Sequence, residues 1–247
     1  MNILTAIADR VSHRTMAGRA LRIPLRLVPK GLVVPVLGGI NRGVRWSTGA
    51  GPNSRCWLGN YEEDHTLALE RLVRREMVAY DVGANAGFYT LALSRLVGPA
   101  GRVFEFEPDA RSVCQLRHHL RLNKVENVTV VQAAIGSSAG LVAFDGWRVI
   151  RESAYVLPTI SLDEFVAFGH PVPDFIKMDI EGGEAAALEG AKNLLCSAHP
   201  DWLLATHSAE LMASCKTTLA QHGYRFTGFD CSSDPGSAAD FVALLSR

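Results

Sequence analysis

The stretch Val78–Thr90, VAYDVGANAGFYT, decides the predicted fold. An apolar run ends in Asp81, a loop rich in glycine follows, and the residues from Gly87 onward fit a helix. A strand that ends in such a loop and leads into a helix can direct backbone N–H groups toward a bound ligand. Glycine suits this loop because it adopts positive φ and lets a ligand approach the backbone closely. We therefore expect the loop to hold a ligand.

Strands and helices alternate along most of the chain. The pattern predicts strands at 77–82, 102–106, 127–132, 174–180 and 202–206, and helices at 62–75, 87–96, 109–122, 162–168, 184–196 and 210–222. Strands 225–229 and 241–245 follow one another without a helix, so one of them should be antiparallel. Such alternation is typical of an α/β fold with a doubly wound, mostly parallel sheet. A side strand at 141–144 is expected within an irregular insertion.

Residues 1–60 differ from the rest and are expected to form an extension to a domain of residues 61–247. Eight arginines and lysines precede residue 46, against one acid, Asp9. Apolar residues recur at helical spacing within 2–19, which predicts a basic amphipathic helix that either contacts a membrane surface or packs on the domain. The segment 32–40 predicts an edge segment or loop. Segments 44–46 and 55–58 flank STGAGPNS and predict a β-hairpin.

The composition excludes several classes of protein. The chain has 247 residues with 25 Lys and Arg against 25 Asp and Glu, so we expect no nucleic-acid partner. Five scattered cysteines favour a reducing compartment rather than a disulfide framework. The sequence shows neither a secretory signal nor a long apolar run, which predicts a cytoplasmic protein. The oligomeric state is left open.

Ligands of such a sheet bind at the carboxyl ends of the strands, here Asp81, Glu107, Asp179 and Thr206–His207. Glu107 suits the ribose diol of either a nicotinamide dinucleotide or S-adenosylmethionine. A dinucleotide fingerprint requires glycine at positions 83, 85 and 88, but Asn85 and Phe88 stand at two of them. The spacing Asp-x-Gly-x-Asn-x-Gly instead suits a smaller amino-acid tail, with a carboxylate nearby for its ammonium.

Four segments, DVGANAGFYT, FEFEPD, ENVTVVQAAIGS and DFIKMDIEGGEAAALEGA, resemble the FkbM family of S-adenosylmethionine-dependent methyltransferases. The resemblance covers about residues 57–207. It implies the seven-stranded Rossmann-like fold of class I methyltransferases and S-adenosylmethionine as the cofactor. In that family the acceptor is most often a hydroxyl of a sugar, a polyketide or a lipid-linked glycan. We therefore expect a small-molecule or glycan acceptor.

The resemblance also implies which residues bind the cofactor. Four residues of the first motif would hold the methionine end: Asp81, Gly83, Asn85 and Gly87. Glu107 would accept the ribose hydroxyls, and Pro108 would shape the turn under the adenosine. Three residues would lie beside the adenine: Gln132, Ala133 and Ala134.

Methyl transfer to a hydroxyl requires either a general base or a divalent cation that lowers the pKa of the hydroxyl. Lys177, Asp179 and Glu181 lie at period two, and His207 ends the next strand. We predict His207 as the base, Asp179 as the group that orients it or the acceptor, and Glu181 as an acceptor ligand. No residue is assigned to a metal, although Asp179 and Glu181 keep a divalent metal open. Six other histidines are predicted to be surface residues: His65, His118, His119, His170, His199 and His222.

Two other functions compete with methyl transfer. A nicotinamide-dependent oxidoreductase would use a similar sheet, but Phe88 replaces its third glycine and the sequence has no Tyr-x-x-x-Lys pair. A non-catalytic protein that retains the fold is the second alternative, which the presence of Asp81, Glu107 and Asp179 disfavours. The acceptor should be shaped by 41–61, 140–158 and the loop after His207, where Trp147 and Tyr155 either stack on a sugar or pack on the sheet.

Overall fold

The computed structural model describes residues 28–146, 148–150, 155–231 and 240–245. The helix predicted within 2–19 and the side chain of Trp147 lie outside these residues. The strands are β1 (Val33–Pro35), β2 (Arg45–Ser47), β3 (Val78–Val82), β4 (Arg102–Phe106), β5 (Val128–Val131), β6 (Ala134–Ile135), β7 (Gly140–Phe144), β8 (Val149–Ile150), β9 (Tyr155–Ile160), β10 (Phe175–Met178), β11 (Asp201–Ala205), β12 (Tyr224–Thr227) and β13 (Asp240–Leu245). The helices are α1 (Arg55–Leu58), α2 (Glu63–Leu72), α3 (Phe88–Val97), α4 (Ala110–Leu122), α5 (Leu162–Ala167), α6 (Glu184–Glu189) and α7 (Ala209–Gln221), with a π-helical turn at Leu194–Ala198.

A seven-stranded sheet forms the centre of the protein, in the order β12-β13-β11-β10-β3-β4-β5. The pairs from β11 to β5 are parallel, whereas β13 pairs antiparallel with both β11 and β12. The predicted α/β class and the predicted antiparallel strand near the C-terminus are both confirmed. Strand order reverses between β3 and β10, so a crevice opens there at the carboxyl ends of the strands.

Both faces of this sheet are buried. Ala79, Val103 and Phe175 belong to one apolar cluster together with α3, while Tyr80, Phe104 and Ile176 belong to a second cluster together with α5 and α6. Alternate residues of each strand thus enter different clusters, because successive side chains point to opposite faces. Helices on both faces explain why these strands read as apolar runs rather than as alternating patterns.

The predicted β-hairpin of segments 44–46 and 55–58 is wrong. β2 pairs antiparallel with β1, so that Trp46 lies opposite Val34, and the second segment forms helix α1. Gly59 ends α1 at φ 90, in the left-handed region. Trp46 is fully buried in the same cluster as α3, so the described part of the extension packs on the domain. The boundary between residues 60 and 61 stays a prediction.

His119 is not a surface residue, contrary to the prediction. Its ring is fully buried and stacks on Trp46 with centroids 3.9 Å apart. His119 Nε2 accepts the N–H of Ser47 at 3.1 Å, and Nδ1 donates to the carbonyl of Ala86 at 2.8 Å. Burial lowers the pKa of His119 to about 4, so the ring is neutral. The histidine thereby joins the extension to the loop before α3.

The insertion between residues 134 and 160 is more regular than the sequence predicts. It forms a four-stranded side sheet in the order β6-β9-β7-β8, in which β7 contains the predicted side strand. Phe144 and Tyr155 lie opposite each other on neighbouring strands of this sheet. Every helix in the described ranges is too short or too polar to cross a lipid bilayer.

Candidate active site

A cleft of about 690 Å³ opens where β3, β4 and β10 end. Its floor contains residues that directly follow these strands, among them Gly83, Glu107 and Asp179. One wall is the first turn of α4, and the opposite wall is the side sheet with Phe144 and Tyr155. Because the strand-order reversal lies under this floor, the cleft occupies the position where doubly wound sheets bind their ligands.

The loop of residues 83–87 is held rigidly against β10. Gly83 has φ +82, and a Cβ there would lie 1.9 Å from the carbonyl oxygen of Asp179, so no other residue fits. The N–H groups of Gly83 and Ala84 donate to the carbonyl of Phe106, and that of Gly87 donates to the carbonyl of Ala84. The N–H of Asn85 donates to Glu107 Oε2, and that of Ala86 donates to Asn85 Oδ1. The expectation that these N–H groups point at a ligand is therefore wrong.

Glu107 lies on the floor of the cleft and has acceptor sites that remain free. It lines the cleft, and its two carboxylate oxygens accept the N–H groups of Asn85 and Asp109, each at 2.8 Å. A carboxylate has about four acceptor sites, so two remain for the hydroxyls of a diol. Burial raises the pKa of Glu107, and the two N–H donors oppose that rise by stabilising the charged form.

The other predicted cofactor residues divide into two groups. Pro108, Ala133 and Ala134 line the cleft beside Glu107, and the small alanines leave room for a flat ring. Asp81, Gly87 and Gln132 do not line it. A Cβ on Gly87 would lie 2.9 Å from Leu116, so this glycine lets α3 approach α4. Gln132 is exposed outside the cleft.

Asp81 is fully buried within a row of charged groups on three neighbouring strands. Lys177, Asp81 and Glu105 are successive partners across β10, β3 and β4. Asp81 Oδ2 accepts the hydroxyl of Thr90 at 2.6 Å, and Oδ1 lies 3.5 Å from Lys177 Nζ. The carboxylate of Asp81 therefore has its partners within the protein and does not line the cleft. Burial raises the pKa of Glu105 to about 9, so this side chain is uncharged near neutral pH.

The predicted catalytic residues lie together, with one carboxylate that the sequence reasoning missed. His207 Nε2 is 3.4 Å from Asp179 Oδ1 and 3.2 Å from Glu181 Oε2. On the other side of the ring, His207 Nδ1 is 3.1 Å from Oε1 of Glu184. Glu184 is fully buried and also accepts the N–H groups of Ile180 and Gly182. Its position at the start of α6 indicated a helix-terminal residue, so its contact with His207, two residues after β11, was not foreseen.

Asp179 and Glu181 line the cleft, whereas His207 lies behind them. When Nδ1 carries the proton that Glu184 accepts, the lone pair of Nε2 faces two carboxylates. A lone pair placed in this way can accept a proton or coordinate a cation. The cluster of Asp179, Glu181, Glu184 and His207, here called the His207 cluster, is therefore a group that can take up a proton next to the cleft.

The same cluster offers ligand atoms of the kind that a divalent cation binds. One atom from each of Asp179, Glu184 and His207 lies within 4.8 Å of the other two. Carboxylate and imidazole ligands suit several divalent ions. The candidate ligand set of the structure therefore differs from the predicted pair Asp179 and Glu181, because it includes Glu184 and His207.

Three aromatic or acidic residues near Asp179 were also not foreseen. Tyr61 and Tyr89 line the cleft, and the hydroxyl of Tyr89 donates to Glu62. Lys177 Nζ lies 4.9 Å above the ring of Tyr89. Burial, together with the charge of Glu62, raises the pKa of Tyr89 well above its usual value, so the phenol stays protonated. The resemblance to the FkbM family begins at about residue 57 and therefore includes Tyr61 and Glu62, which was the available signal.

Comparison with known proteins gives a family and one curated relative. The methyltransferase FkbM domain matches residues 81–226, which is more than half of the 247 residues. The hexuronic acid methyltransferase AglP of Haloferax volcanii is 29% identical over 145 residues. That alignment covers 55% of this chain and 59% of the length of the relative.

Two solved structures resemble the fold. A methyltransferase FkbM from Methylobacillus flagellatus has a TM-score of 0.53 at 20% identity, over 73% of this chain and 50% of that one. A ribosomal protein L11 methylase from Lactobacillus delbrueckii subsp. bulgaricus also has a TM-score of 0.53, at 14% identity, over 84% of this chain and 86% of that one. At these sequence identities the structural similarity shows the fold alone.

Proposed function

Because the chain belongs to the FkbM methyltransferase family, we propose that it methylates a hydroxyl oxygen of a sugar or glycan acceptor. It is an S-adenosylmethionine-dependent methyltransferase, and this cofactor supplies an activated methyl group when bound. The observation that carries the proposal is the His207 cluster, which places a proton acceptor against the two carboxylates that line the cleft. The family membership contradicts the oxidoreductase alternative.

The chain's residues suit the cofactor along the floor of the cleft. Glu107 would accept the ribose hydroxyls through its two remaining acceptor sites. Ala133 and Ala134 would lie beside the adenine, with Pro108 in the turn under the adenosine. Gly83 lets the loop pack against the end of β10. The part of the cleft that would hold the methionine end of the cofactor therefore adjoins Asp179. The resemblance to the family suggested these assignments, and the positions of the residues in the cleft support them.

A hydroxyl fits the His207 cluster better than an acceptor carboxylate does. Asp179 and Glu181 would repel an anionic oxygen at close range, whereas a neutral hydroxyl can donate a hydrogen bond to either of them. The proton then passes to the cluster, in which His207 shares it with Asp179 and Glu181. Glu184 holds the opposite nitrogen of the ring and fixes its orientation. His207 remains the proposed base and acts through this hydrogen-bonded unit.

The proposal of a sugar acceptor is supported by the relative that acts on a hexuronic acid. The walls of the cleft suit such a ligand, because Arg111 and Arg148 could pair with a sugar carboxylate and the ring of Tyr155 could stack on a pyranose. A uronic acid carries both a carboxylate and hydroxyls. We propose that its carboxylate contacts the arginines while a hydroxyl faces the His207 cluster.

The test is methyl transfer from labelled S-adenosylmethionine to a panel of hexuronic and neutral sugar glycosides. The expected product is a methyl ether, which survives mild alkaline hydrolysis. A methyl ester, which the same treatment cleaves, would refute the hydroxyl assignment. Failure to methylate any sugar while the cofactor still binds would favour the non-catalytic alternative or another acceptor.

His207→Gln isolates the proposed base, because glutamine retains hydrogen bonding but cannot accept the proton. Turnover should fall about a hundredfold or more, while affinity for S-adenosylhomocysteine should stay within about twofold of the original protein because His207 lies outside the cofactor floor. His222→Gln, at the C-terminal end of α7, is the matched control. Unchanged turnover of the His207 variant would remove this residue as the base.

Three further expectations stay predictions. The basic N-terminal region would contact a membrane peripherally, no nucleic acid would bind, and the protein would be cytoplasmic. Sedimentation with anionic vesicles, compared between the full chain and a variant with its first arginines replaced, would test the first of these.

A further inference from the structure

The carboxylate at the methionine end of the cofactor requires a donor or a cation, because a desolvated anion with neither is strongly disfavoured. The loop of residues 83–87 does not offer one. Its five N–H groups all donate to protein oxygens, as described above. Asp81, which was expected to contact this end of the cofactor, is itself an anion and is fully buried.

Among the residues that the structure describes, three cations line the cleft: Arg111, Arg148 and Lys177. Arg111 lies in the first turn of α4, soon after Glu107, and Arg148 lies directly before β8 of the side sheet. Lys177 alone of the three contacts the loop, through a 3.0 Å hydrogen bond from Nζ to the carbonyl oxygen of Gly83. Its position therefore matches the end of the cleft where the amino-acid tail would lie.

The ammonium of Lys177 keeps donors available. An ammonium has three N–H groups, and the bond to Gly83 uses one. Lys177 Nζ and Asp81 Oδ1 form an ion pair, but their distance of 3.5 Å is long for a hydrogen bond. Burial by itself would lower the pKa of Lys177. The carboxylates of Asp81, Asp179 and Glu62 have the larger effect, so the pKa of Lys177 is raised. The group is a desolvated cation at the edge of the cleft.

We propose that Lys177 binds the carboxylate of the methionine end of S-adenosylmethionine. Nζ would contact that carboxylate, the Gly83 carbonyl and Asp81 at once. The proposal gives the buried Asp81 a positioning role, since its charge keeps the ammonium in place. It rests on the assignment of the cofactor, but it depends neither on the acceptor nor on His207.

The test compares S-adenosylhomocysteine with its decarboxylated analogue, which keeps the amine and the adenosine. Titration calorimetry of the full chain should show a preference of about tenfold or more for the ligand with the carboxylate, as expected for a charge-assisted hydrogen bond. In Lys177→Met, affinity for S-adenosylhomocysteine should fall by that factor while affinity for the analogue is kept. Lys192→Met, an exposed lysine beyond α6, should leave the preference intact.

Three results would overturn the proposal. The original protein could bind both ligands equally, which would mean that no group of the site selects the carboxylate. Lys177→Met could keep the original affinity for both ligands, which would assign the carboxylate to N–H groups in the first turn of α3. An equal loss of affinity for both ligands would mean that Lys177 only supports the loop. If the variant fails to fold because Asp81 is left unpaired, Asp81→Asn combined with Lys177→Met removes the buried pair and is measured in the same way. Failure of the sugar acceptor assay would leave these ratios unaffected.

Discussion

Replacing Glu105 with glutamine should stabilise the protein, and the gain should increase with pH. Glu105 is fully buried in β4, and burial together with Asp81 and Glu107 raises its pKa to about 9. Between pH 4.5 and about 9 the folded state therefore keeps a proton that the unfolded chain has released. The unfolded state binds fewer protons across this window, so the free energy of unfolding falls as the pH rises. Glutamine has nearly the same shape as a protonated glutamate and does not ionise.

The magnitude follows from the size of the shift. Each pH unit above the ordinary value of 4.5 costs about 1.4 kcal/mol, which gives roughly 3 kcal/mol at pH 7 and about 1 kcal/mol at pH 5. Glu105→Gln should remove this cost. The difference in unfolding free energy between variant and original protein should thus widen by about 2 kcal/mol from pH 5 to pH 7.

Urea denaturation at pH 5, 6, 7 and 8 measures this difference directly. Glu70→Gln, an exposed glutamate on α2, is the matched control and should change stability by no more than about 0.5 kcal/mol at any of these pH values. A constant difference between the Glu105 variant and the original protein across the pH range would refute the reasoning. It would mean that Glu105 does not keep its proton in the folded state.

Three further predictions concern the site. Glu107→Ala should weaken S-adenosylhomocysteine binding by about tenfold or more, because a charge-assisted hydrogen bond contributes roughly 1.5–3 kcal/mol; unchanged affinity in calorimetry would contradict the ribose assignment. Gly83→Ala should abolish cofactor binding, since its Cβ would lie 1.9 Å from the Asp179 carbonyl oxygen. Gly31→Ala, with a similar φ of +83 and open space around the Cβ, isolates the backbone strain and should bind normally. Exhaustive dialysis against EDTA should leave turnover within about twofold; loss of activity that magnesium restores would instead assign the His207 cluster to a cation.

The sequence alone could predict the central sheet, because each strand is a short apolar run and each crossover a helix with its own signals. The same reasoning failed in the extension. The pairing of β1 with β2 joins segments separated by a glycine-rich stretch, and glycine permits many turns without selecting one. The burial of His119 could not be predicted for a similar reason. Its partner Trp46 lies far away in the chain, and helical periodicity does not indicate such a long-range contact.

The positions of Glu107 and Asp179 at the cleft, with His207 next to Asp179, could be predicted because the carboxyl ends of parallel strands meet at one edge of a sheet. The hydrogen bonds and ion pairs among these neighbouring groups depend on distances that only the tertiary structure determines. Lys177 and Thr90 contact Asp81 in the interior, and Glu184 of helix α6 contacts His207 in the loop after β11. The sequence therefore determined which chemical groups meet. The tertiary structure decided which of them remain available to a ligand, because hydrogen bonds within the protein had already occupied the others.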